Sequence, residues 1–195
     1  MIILMRSFSW LLIIGGLSFL IYGGYQLLDS YLKENQRVDE AKAFVSEEIV
    51  DEIDDDLLKF YESIEIGETI GILYIPKLDR ELPIVEGTDE DELAQGVGHY
   101  RDSGLPGENR QILLSGHRDT VFRQFGELEH GDEFHIQMEH GTFVYVIHDH
   151  EIVPADDRTV IDPTREEEYL TVSTCYPFNF VGSAPDRYVL YAYPK

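Results

Sequence analysis

Three polar residues with complementary chemistry stand at the ends of apolar, strand-like runs. Cys175, the only cysteine, closes the β-branched run 170–174, His117 follows one apolar run, and Arg187 precedes another. A thiolate is a nucleophile, an imidazole can protonate a leaving amine, and a guanidinium can hold an oxyanion with its planar fork of donors. A nearby cation also favours the thiolate form of a cysteine. If strand ends bring the three residues together, they predict acyl transfer through a cysteine.

Taken singly, each residue also has a plainer interpretation. A lone cysteine is commonly a buried core residue, a histidine on a loop is commonly solvated, and Arg187 beside Asp186 is compatible with a surface ion pair. His148 and His150 are predicted to share a strand face, yet no cysteine or acid completes a zinc spacing around them. We therefore predict no metal site.

The elements that must position these residues are short strands. Past Gly67 the chain alternates β-favouring runs with turns, and Pro177 ends the Cys175 run because proline has no backbone donor. A short helix is expected at 89–94 and a helical turn or two at 121–128. Seven or eight strands with few helices predict an all-β barrel or sandwich. The predicted strands are 70–75, 81–85, 111–115, 133–138, 142–153, 170–175 and 188–193.

The N-terminal part is predicted to be a membrane anchor. Residues 8–28 form an apolar block close to the roughly 20 residues that cross a bilayer, so we predict a transmembrane helix there. A cleaved signal peptide is the alternative, but the block is longer than a usual signal core and no A-x-A-like site follows it. Basic residues flank the block on both sides and leave its orientation open by charge alone. We place residues 1–7 in the cytoplasm and the acidic domain outside.

An acidic segment, residues 29–66, is predicted to follow the anchor as a juxtamembrane helix. Within it, apolar residues recur every four positions between 38 and 61, which indicates one stripe on a single helix. We expect Asp54, Asp55 and Asp56 to face solvent rather than bind calcium. The stripe consists of Val45, Ile49, Ile53, Leu57 and Tyr61.

Composition limits the function classes. The 195 residues, 43% of them hydrophobic, suffice for one domain and an appendage, and residues 67–195 are predicted to form that domain. The net charge of −23 argues against a nucleic-acid partner, since no basic stripe could neutralise phosphates, and it suits an extracytoplasmic domain. A single cysteine rules out an internal disulfide, and an unpaired thiol outside the cell indicates reactivity or an intermolecular bond.

Sequence motifs around the three candidates resemble one known family. Residues 171–175, T-V-S-T-C, resemble the T-L-x-T-C signature of sortases, the membrane-anchored cysteine transpeptidases of Gram-positive surfaces, with Val172 in place of leucine. Residues 115–120, S-G-H-R-D-T, are similar to the family's G-H-R segment, and the chain order His, Cys, Arg also matches. The resemblance runs from about Ile70 to the C-terminus. The compact form, with an N-terminal anchor and C-Y-P-F at the candidate nucleophile, looks most like class D. Further similar segments are 98–100, 105–108 and 125–132.

The resemblance implies a closed eight-stranded β-barrel with short helices and one catalytic end. It implies that Cys175 is the nucleophile, that His117 donates and accepts the proton, and that Arg187 stabilises the oxyanion. Thr174 is either a substrate-binding residue, through its hydroxyl, or a packed strand residue. His99 ranks below His117 because it lacks the match to the catalytic segment. No cofactor is implied, and the calcium dependence of some sortases stays open because the acids here match no ligand pattern.

The implied reaction joins secreted proteins to the cell wall. The enzyme would cleave an LPxT-type sorting signal of a secreted surface protein, hold the protein as a thioester, and pass it to an amine of a peptidoglycan precursor. Pilin polymerisation is an open alternative, although no long lid segment is present. Two other classes stay as alternatives: a membrane-tethered binding domain on a degenerate sortase fold, and an L,D-type cysteine transpeptidase, whose S-H-G-C segment is missing here.

Overall fold

The computed structural model describes residues 2–49, 55–162, 164–180 and 182–195, and its main body is a closed eight-stranded β-barrel. The strands are β1 (Thr69–Ile75), β2 (Arg80–Glu86), β3 (Val97–His99), β4 (Gln111–Gly116), β5 (Glu133–Met138), β6 (Gly141–Pro154), β7 (Tyr169–Tyr176) and β8 (Asp186–Pro194). Around the barrel they follow the order β1-β2-β3-β4-β7-β8-β6-β5, and β5 closes onto β1. The predicted all-β, eight-stranded barrel is confirmed.

Alternation along the strands separates a packed interior from an outer face. In β7, Leu170 and Val172 pack into the core while Ser173 lines an outer groove, as the two-residue period of a strand requires. Leu114 of β4 and Leu190 of β8 join the same core. Each such buried side chain stabilises the fold by about 1.5–3 kcal/mol relative to exposure. Their packing keeps the neighbouring strands β4, β7 and β8 in a fixed register.

Two short elements differ from the sequence-based expectation. Strand β3 was not predicted, because three residues carry too little pattern, and it pairs parallel to β2 through Gly98 and Val85. A Cβ at Gly98 would lie 2.5 Å from the carbonyl oxygen of Gly87, so the close approach requires glycine. The expected helical turns at 121–128 shrink to one 3₁₀ turn, Phe125–Glu127. The short helix expected near residue 90 is present as Glu90–Leu93.

A single long helix, α1 (Ile2–Lys42), precedes the barrel. Its 41 residues span about 60 Å at 1.5 Å per residue. The part Trp10–Lys42 is long and apolar enough to cross a membrane, and its most apolar window is not buried against the rest of the protein. These properties are compatible with the predicted span at 8–28. The helix has no break at the predicted boundary between residues 28 and 29.

The C-terminal turns of α1 pack directly on the barrel. Val38 and Ala41 are buried against Ile72 of β1. On the same side, Arg37 donates through Nη1 to Thr69 Oγ1 at 3.0 Å, and Glu34 pairs with an arginine of β2 at 2.8 Å. The helix that carries the apolar stretch is therefore also a packed part of the folded domain.

The single helix predicted between residues 38 and 61 is wrong. Helix α1 ends at Lys42, and the chain then runs beside the end of β5 and the start of β6, where Ser46 N donates to Met138 O at 2.8 Å and Thr142 N donates to Glu48 O at 2.7 Å. These strand-type hydrogen bonds satisfy the backbone there in place of helical bonds. A second helix, α2 (Asp55–Ser63), follows. Ile53, Asp54 and the side chains of Asp55, Asp56 and Leu57 lie outside the described residues.

Candidate active site

The register of three neighbouring strands brings the predicted catalytic residues together. Cys175 of β7 lies directly opposite Arg187 of β8 in the antiparallel pair, where opposing Cα atoms are about 4.5–5.5 Å apart. On the other side of β7, Gly116 of β4 lies beside Thr174 in a parallel pair, so His117 emerges next to Cys175. Cys175, His117 and Arg187 are all half-buried, which leaves each side chain open to a substrate.

Glycine and an aromatic side chain shape the turn that presents His117. A Cβ at Gly116 would lie 2.5 Å from the ring of Phe122, so the ring covers the strand end only because residue 116 has no side chain. Phe122 N donates to the carbonyl oxygen of His117 at 3.1 Å and closes a tight turn. Phe122 is itself buried and lies 4.3 Å from Phe125, measured between ring centroids. The core therefore fixes the backbone on which His117 stands.

Arg187 keeps most of its donors available. In the described part of the chain, its guanidinium makes one hydrogen bond, from Nη1 to the carbonyl oxygen of Asp186 at 3.0 Å. An arginine has five N–H donors in a planar fork. The side chain can therefore offer a pair of donors to an oxygen that becomes negatively charged beside Cys175. The surface ion pair with the Asp186 side chain, considered above as an alternative, is not formed.

A groove on the outer face of the sheet leads to Arg187. It encloses about 200 Å³ and has a floor from β4, β7 and β8, with Leu113, Ser173 and Val189 among its residues. One wall is the β6–β7 loop, which contributes Val160 and Ile161. The wall presents apolar surface at Val160 and Ile161 and charged side chains at Asp157 and Arg158, and the floor is partly polar. An extended peptide with small apolar side chains can lie in such a groove with its backbone near the catalytic end.

Polar side chains anchor the β6–β7 loop at its middle and at its C-terminal end. The amide of buried Gln111 donates to Val160 O at 2.7 Å and accepts from Asp162 N at 2.7 Å. At the C-terminal end of the loop, Glu168 accepts from Gly107 N and from the hydroxyl of Tyr145, both at 2.7 Å. Burial, and next the charge of Glu168, raise the pKa of Tyr145 well above the usual tyrosine range, so that its hydroxyl stays a donor.

An aromatic cluster lies beneath the catalytic end. The ring of Tyr188 lies 6.1 Å from that of Tyr176 and 5.3 Å from that of Phe178, measured between centroids. A Cβ at Gly126 would lie 2.8 Å from the Phe178 ring, so this packing requires glycine at that position. Burial raises the pKa of Tyr188 and keeps its hydroxyl neutral. The cluster gives the residues that follow Cys175 a firm base.

Thr174 is packed rather than open to a substrate. Its side chain faces inward, the residue is 2% exposed, and its hydroxyl donates to the carbonyl oxygen of Gly116 at 2.7 Å. A direct contact with substrate needs exposed surface that this side chain does not have. The placement favours the second of the two roles considered from the sequence: Thr174 joins β7 to the residue that precedes His117.

His99 lies within a buried hydrogen-bond network. It is 2% exposed, its Nδ1 lies 2.6 Å from Glu86 Oε2, and its Nε2 lies 2.9 Å from Gly104 O and 3.2 Å from Ser103 Oγ. The hydroxyl of Ser103 donates to Tyr100 O at 2.7 Å, and the Gly104 carbonyl requires a proton on Nε2. Both ring nitrogens are therefore occupied, and His99 has no free atom for proton transfer to a substrate.

The strand face predicted for His148 and His150 is not shared. A β-bulge between Ile147 and Asp149 shifts the register. As a result, the His148 ring lies 5.4 Å from that of His130, while the His150 ring lies 5.5 Å from that of Tyr188. Among the described residues, no group of three or more His, Cys, Asp or Glu side chains could hold a metal ion.

Sequence reasoning gave no role to two buried polar residues near the site. Gln111 opens an apolar strand, where a polar residue is unusual and is itself the available signal. Arg118 directly follows His117 in the G-H-R segment, and it is also buried. Neither position indicates which distant loop its side chain holds, because that depends on the fold.

Comparisons with known proteins converge on one family. The family model of the sortase domain matches residues 73–195. The chain is 46% identical over 185 residues to Sortase D of Bacillus subtilis (strain 168), covering 92% of this chain and 93% of that protein. The fold is similar to a Clostridium perfringens Sortase D5 transpeptidase, with a TM-score of 0.69 and 27% identity over 84% of this chain and 98% of that one. It is also similar to sortase E from Streptomyces avermitilis, with a TM-score of 0.59 and 31% identity over 68% of this chain and 91% of that one.

Proposed function

The chain belongs to the sortase family of cysteine transpeptidases and resembles its class D members, and we propose that it joins secreted proteins carrying an LPxT-type sorting signal to an amine of the cell wall. The observation that carries the proposal is the register at the ends of β4, β7 and β8. It sets Cys175 opposite Arg187 and beside the position from which His117 emerges.

The first half of the reaction cleaves the sorting signal. The Cys175 thiolate attacks the carbonyl carbon of the threonine in the signal, and the carbonyl oxygen takes up negative charge that Arg187 stabilises with its free donors. The carbon–nitrogen bond then breaks, and His117 gives its proton to the departing amine. The product is a thioester between the secreted protein and Cys175, together with the released C-terminal peptide.

The second half transfers the protein to its acceptor. The amine of a peptidoglycan precursor attacks the thioester carbon, and His117, now neutral, takes the proton from the attacking nitrogen. A new amide forms and the thiolate of Cys175 leaves, which restores the enzyme. Water as the acceptor would give hydrolysis, so an efficient amine acceptor is needed for joining.

The groove beside Arg187 supports an extended peptide as substrate. Val160 and Ile161 of its wall offer apolar surface to the leucine and proline of an LPxT signal, and Arg187 lies at one end of the groove. In this direction the threonine carbonyl would lie next to Cys175. A peptide-library cleavage profile would identify the residue at the variable position of the sorting signal. It would also show whether glycine or alanine follows the threonine.

We also propose that the chain is a single-pass membrane protein. Residues 8–28 would span the bilayer, residues 1–7 would lie in the cytoplasm, and the barrel would lie outside. A retained anchor is supported over a cleaved signal peptide because the same uninterrupted helix continues to Val38 and Ala41, which pack on the barrel. Deletion of residues 2–28 should give a soluble and active domain. If cells cleave the chain after the apolar segment and thereby release the barrel from the membrane, the proposal of a retained anchor is contradicted.

The catalytic roles are tested by cleavage of a fluorogenic LPxT peptide. Cys175→Ala and His117→Ala should abolish turnover in folded protein, whereas His140→Ala, which changes an exposed histidine, should not. Arg187→Lys should lower kcat/KM about 100-fold, because a single ammonium does not reproduce the fork that holds the oxyanion. Turnover that persists in Cys175→Ala would overturn the proposed function.

The acceptor is identified from the products. Intact mass should show an acyl-enzyme on Cys175 when acceptor is withheld, and a peptide joined to the amine when a peptidoglycan-precursor amine is supplied. If the enzyme joins the peptide to a pilin lysine and not to the wall amine, the function is pilin polymerisation rather than wall anchoring. Labelling of Cys175 by a methanethiosulfonate reagent in the folded protein provides an independent check that the thiol is reactive.

A further inference from the structure

Arg118 connects two segments that the catalytic reaction must keep together. Its side chain is 6% exposed, and its guanidinium donates to the carbonyl oxygens of Pro177, Phe180 and Gly182 at 2.9, 2.7 and 3.0 Å. All three acceptors belong to the segment that leaves β7 directly after the nucleophile-bearing strand end. Arg118 itself directly follows His117.

These three carbonyl oxygens are the principal hydrogen-bond partners of the buried Arg118 guanidinium. The guanidinium also lies 6.0 Å from the centroid of the Phe180 ring, on the segment that it holds. It donates as well from Nε to Asp119 Oδ1 at 3.2 Å, and the Asp119 side chain is 76% exposed. Solvent screens an exposed ion pair of this kind, which makes it a weak restraint. A buried guanidinium that is satisfied by backbone carbonyls, in contrast, fixes the chain that supplies them.

The backbone ladder leaves a gap that Arg118 fills. The parallel pairing of β4 with β7 ends at Gly116 and Thr174. The next residue on each strand is catalytic, and no further ladder pair joins His117 to Cys175. The ladder with β8 continues past Cys175 and holds the nucleophile to Arg187 instead. The side chain of Arg118 therefore links the chain after β4 to the chain after β7, just beyond the point where the β4–β7 ladder stops.

The segment after β7 has few other restraints. Phe178 packs on the core, but Asn179 and Phe180 are exposed, and the one backbone bond described within the turn runs from Phe180 N to Pro177 O at 3.2 Å. Farther along the segment, Pro185 O accepts from Ala155 N at 2.8 Å, and between Phe180 and Pro185 the carbonyl oxygen of Gly182 is held by the bond from Arg118.

We propose that Arg118 is a positioning residue of the transfer reaction: it clamps the segment after β7 onto the His117 turn and thereby sets the imidazole for proton transfer at Cys175. This inference rests on the proposed function, because it concerns the geometry of that reaction. A planar fork can reach three diverging carbonyls, whereas a lysine ammonium is a point donor on a flexible stem. Arg118→Lys should thus restore only part of the effect.

The test separates proton donation from general stability by changing the leaving group. An LPxT amide substrate needs a proton on its departing amine, whereas the matching p-nitrophenyl ester releases a stable anion without one. A displaced imidazole should impair the amide reaction selectively. Damage to the fold, the groove or the thiol should impair both reactions alike.

We would measure kcat/KM, which reports the steps up to release of the leaving group, for both substrates with the full chain and with Arg118→Met, Arg118→Lys and Arg123→Met. The second half-reaction, in which His117 accepts a proton, is common to both substrates and does not enter this ratio. Arg123 is the matched control, since its guanidinium is exposed and donates to the carbonyl oxygen of Asp119 on the same segment. Displacement of a catalytic group by about 1 Å costs on the order of 100-fold. We expect kcat/KM for the amide to fall about 100-fold in Arg118→Met and less in Arg118→Lys, with kcat/KM for the ester within threefold and with Arg123→Met like the wild type.

Each outcome bears on the inference separately from the proposed function. Wild-type amide turnover that disappears in Cys175→Ala establishes the reaction. If kcat/KM in the Arg118 variants then falls equally for amide and ester, or falls for neither, the positioning role is overturned. Should Arg118→Met fail to fold, as judged by circular dichroism, the ratio of amide to ester kcat/KM in Arg118→Lys decides the question. An unreactive wild-type protein would instead overturn the proposed function.

Discussion

The buried amide of Gln111 offers a way to loosen one wall of the groove without changing the catalytic groups. Its Nε2 donates to Val160 O at 2.7 Å and to Thr171 Oγ1 at 2.8 Å, and its Oε1 accepts from Asp162 N at 2.7 Å. Gln111→Leu nearly preserves side-chain volume and removes all three hydrogen bonds. Two of the three lost partners lie in the β6–β7 loop that walls the groove.

The expected magnitude follows from those two loop bonds. At about 1 kcal/mol each, the ordered form of the loop loses about 2 kcal/mol relative to open forms. One factor of ten in an equilibrium constant corresponds to about 1.4 kcal/mol, so substrate binding should weaken by up to about 30-fold. The cause is that a smaller fraction of the protein has the loop in its ordered, binding-competent form. We therefore expect KM to rise by up to this factor and kcat to change less than twofold, because Cys175, His117 and Arg187 lie on other segments.

The assay is steady-state cleavage of the LPxT peptide over a range of concentrations, with Gln124→Leu as the control. Gln124 is exposed, and its amide makes a long hydrogen bond to Glu127 at 3.4 Å. A KM within twofold of wild type in folded Gln111→Leu would show that the loop does not need this anchor. A fall in kcat at constant KM would contradict the assignment of the loop to substrate binding.

Two further predictions address Thr174 and the cofactor. Thr174→Val removes the hydroxyl that holds the Gly116 carbonyl and should lower kcat about fivefold, the equivalent of about 1 kcal/mol, whereas Thr174→Ser should retain activity; equal kcat in the two variants would count against that bond. Because no group of three or more His, Cys, Asp or Glu side chains among the described residues could hold a metal ion, dialysis against a chelator should leave kcat/KM within twofold of the starting value. A tenfold loss that calcium restores would instead establish the calcium dependence that the sequence leaves open.

The proximity of the three proposed catalytic residues could be predicted from the sequence because each residue is tied to a strand end. Cys175, His117 and Arg187 each border a clear β-run, and sheets bring such ends together. The strand period also constrains Thr174: adjacent residues of a strand face opposite sides, so an outward Cys175 requires an inward Thr174. That parity argument points to packing, and the bond from Thr174 to Gly116 agrees with it.

Long-range partners explain what the sequence pattern missed. The four-residue spacing of apolar residues is a local signal, yet the chain leaves the helix at Lys42 because Ser46 and Glu48 pair with residues near β6. Their partners Met138 and Thr142 lie far along the chain, and no local pattern reveals them. Strand β3 escapes prediction for a related reason, because pairing with β2 and β4 rather than its own sequence makes it a strand.

Strand β4 relates the groove wall and the segment after β7 to His117. Gln111, its first residue, holds the β6–β7 loop, and Arg118, just beyond its last residue, holds the segment after β7. His117 lies between the strand and Arg118, while Ile112 and Leu114 root the strand in the core. Both segments are thus fixed to the same rigid strand as His117, since each anchor is a side chain of that strand or its extension. In the proposed function, a peptide held against the β6–β7 wall is thereby positioned relative to His117, which is the geometry that proton transfer to its departing amine requires.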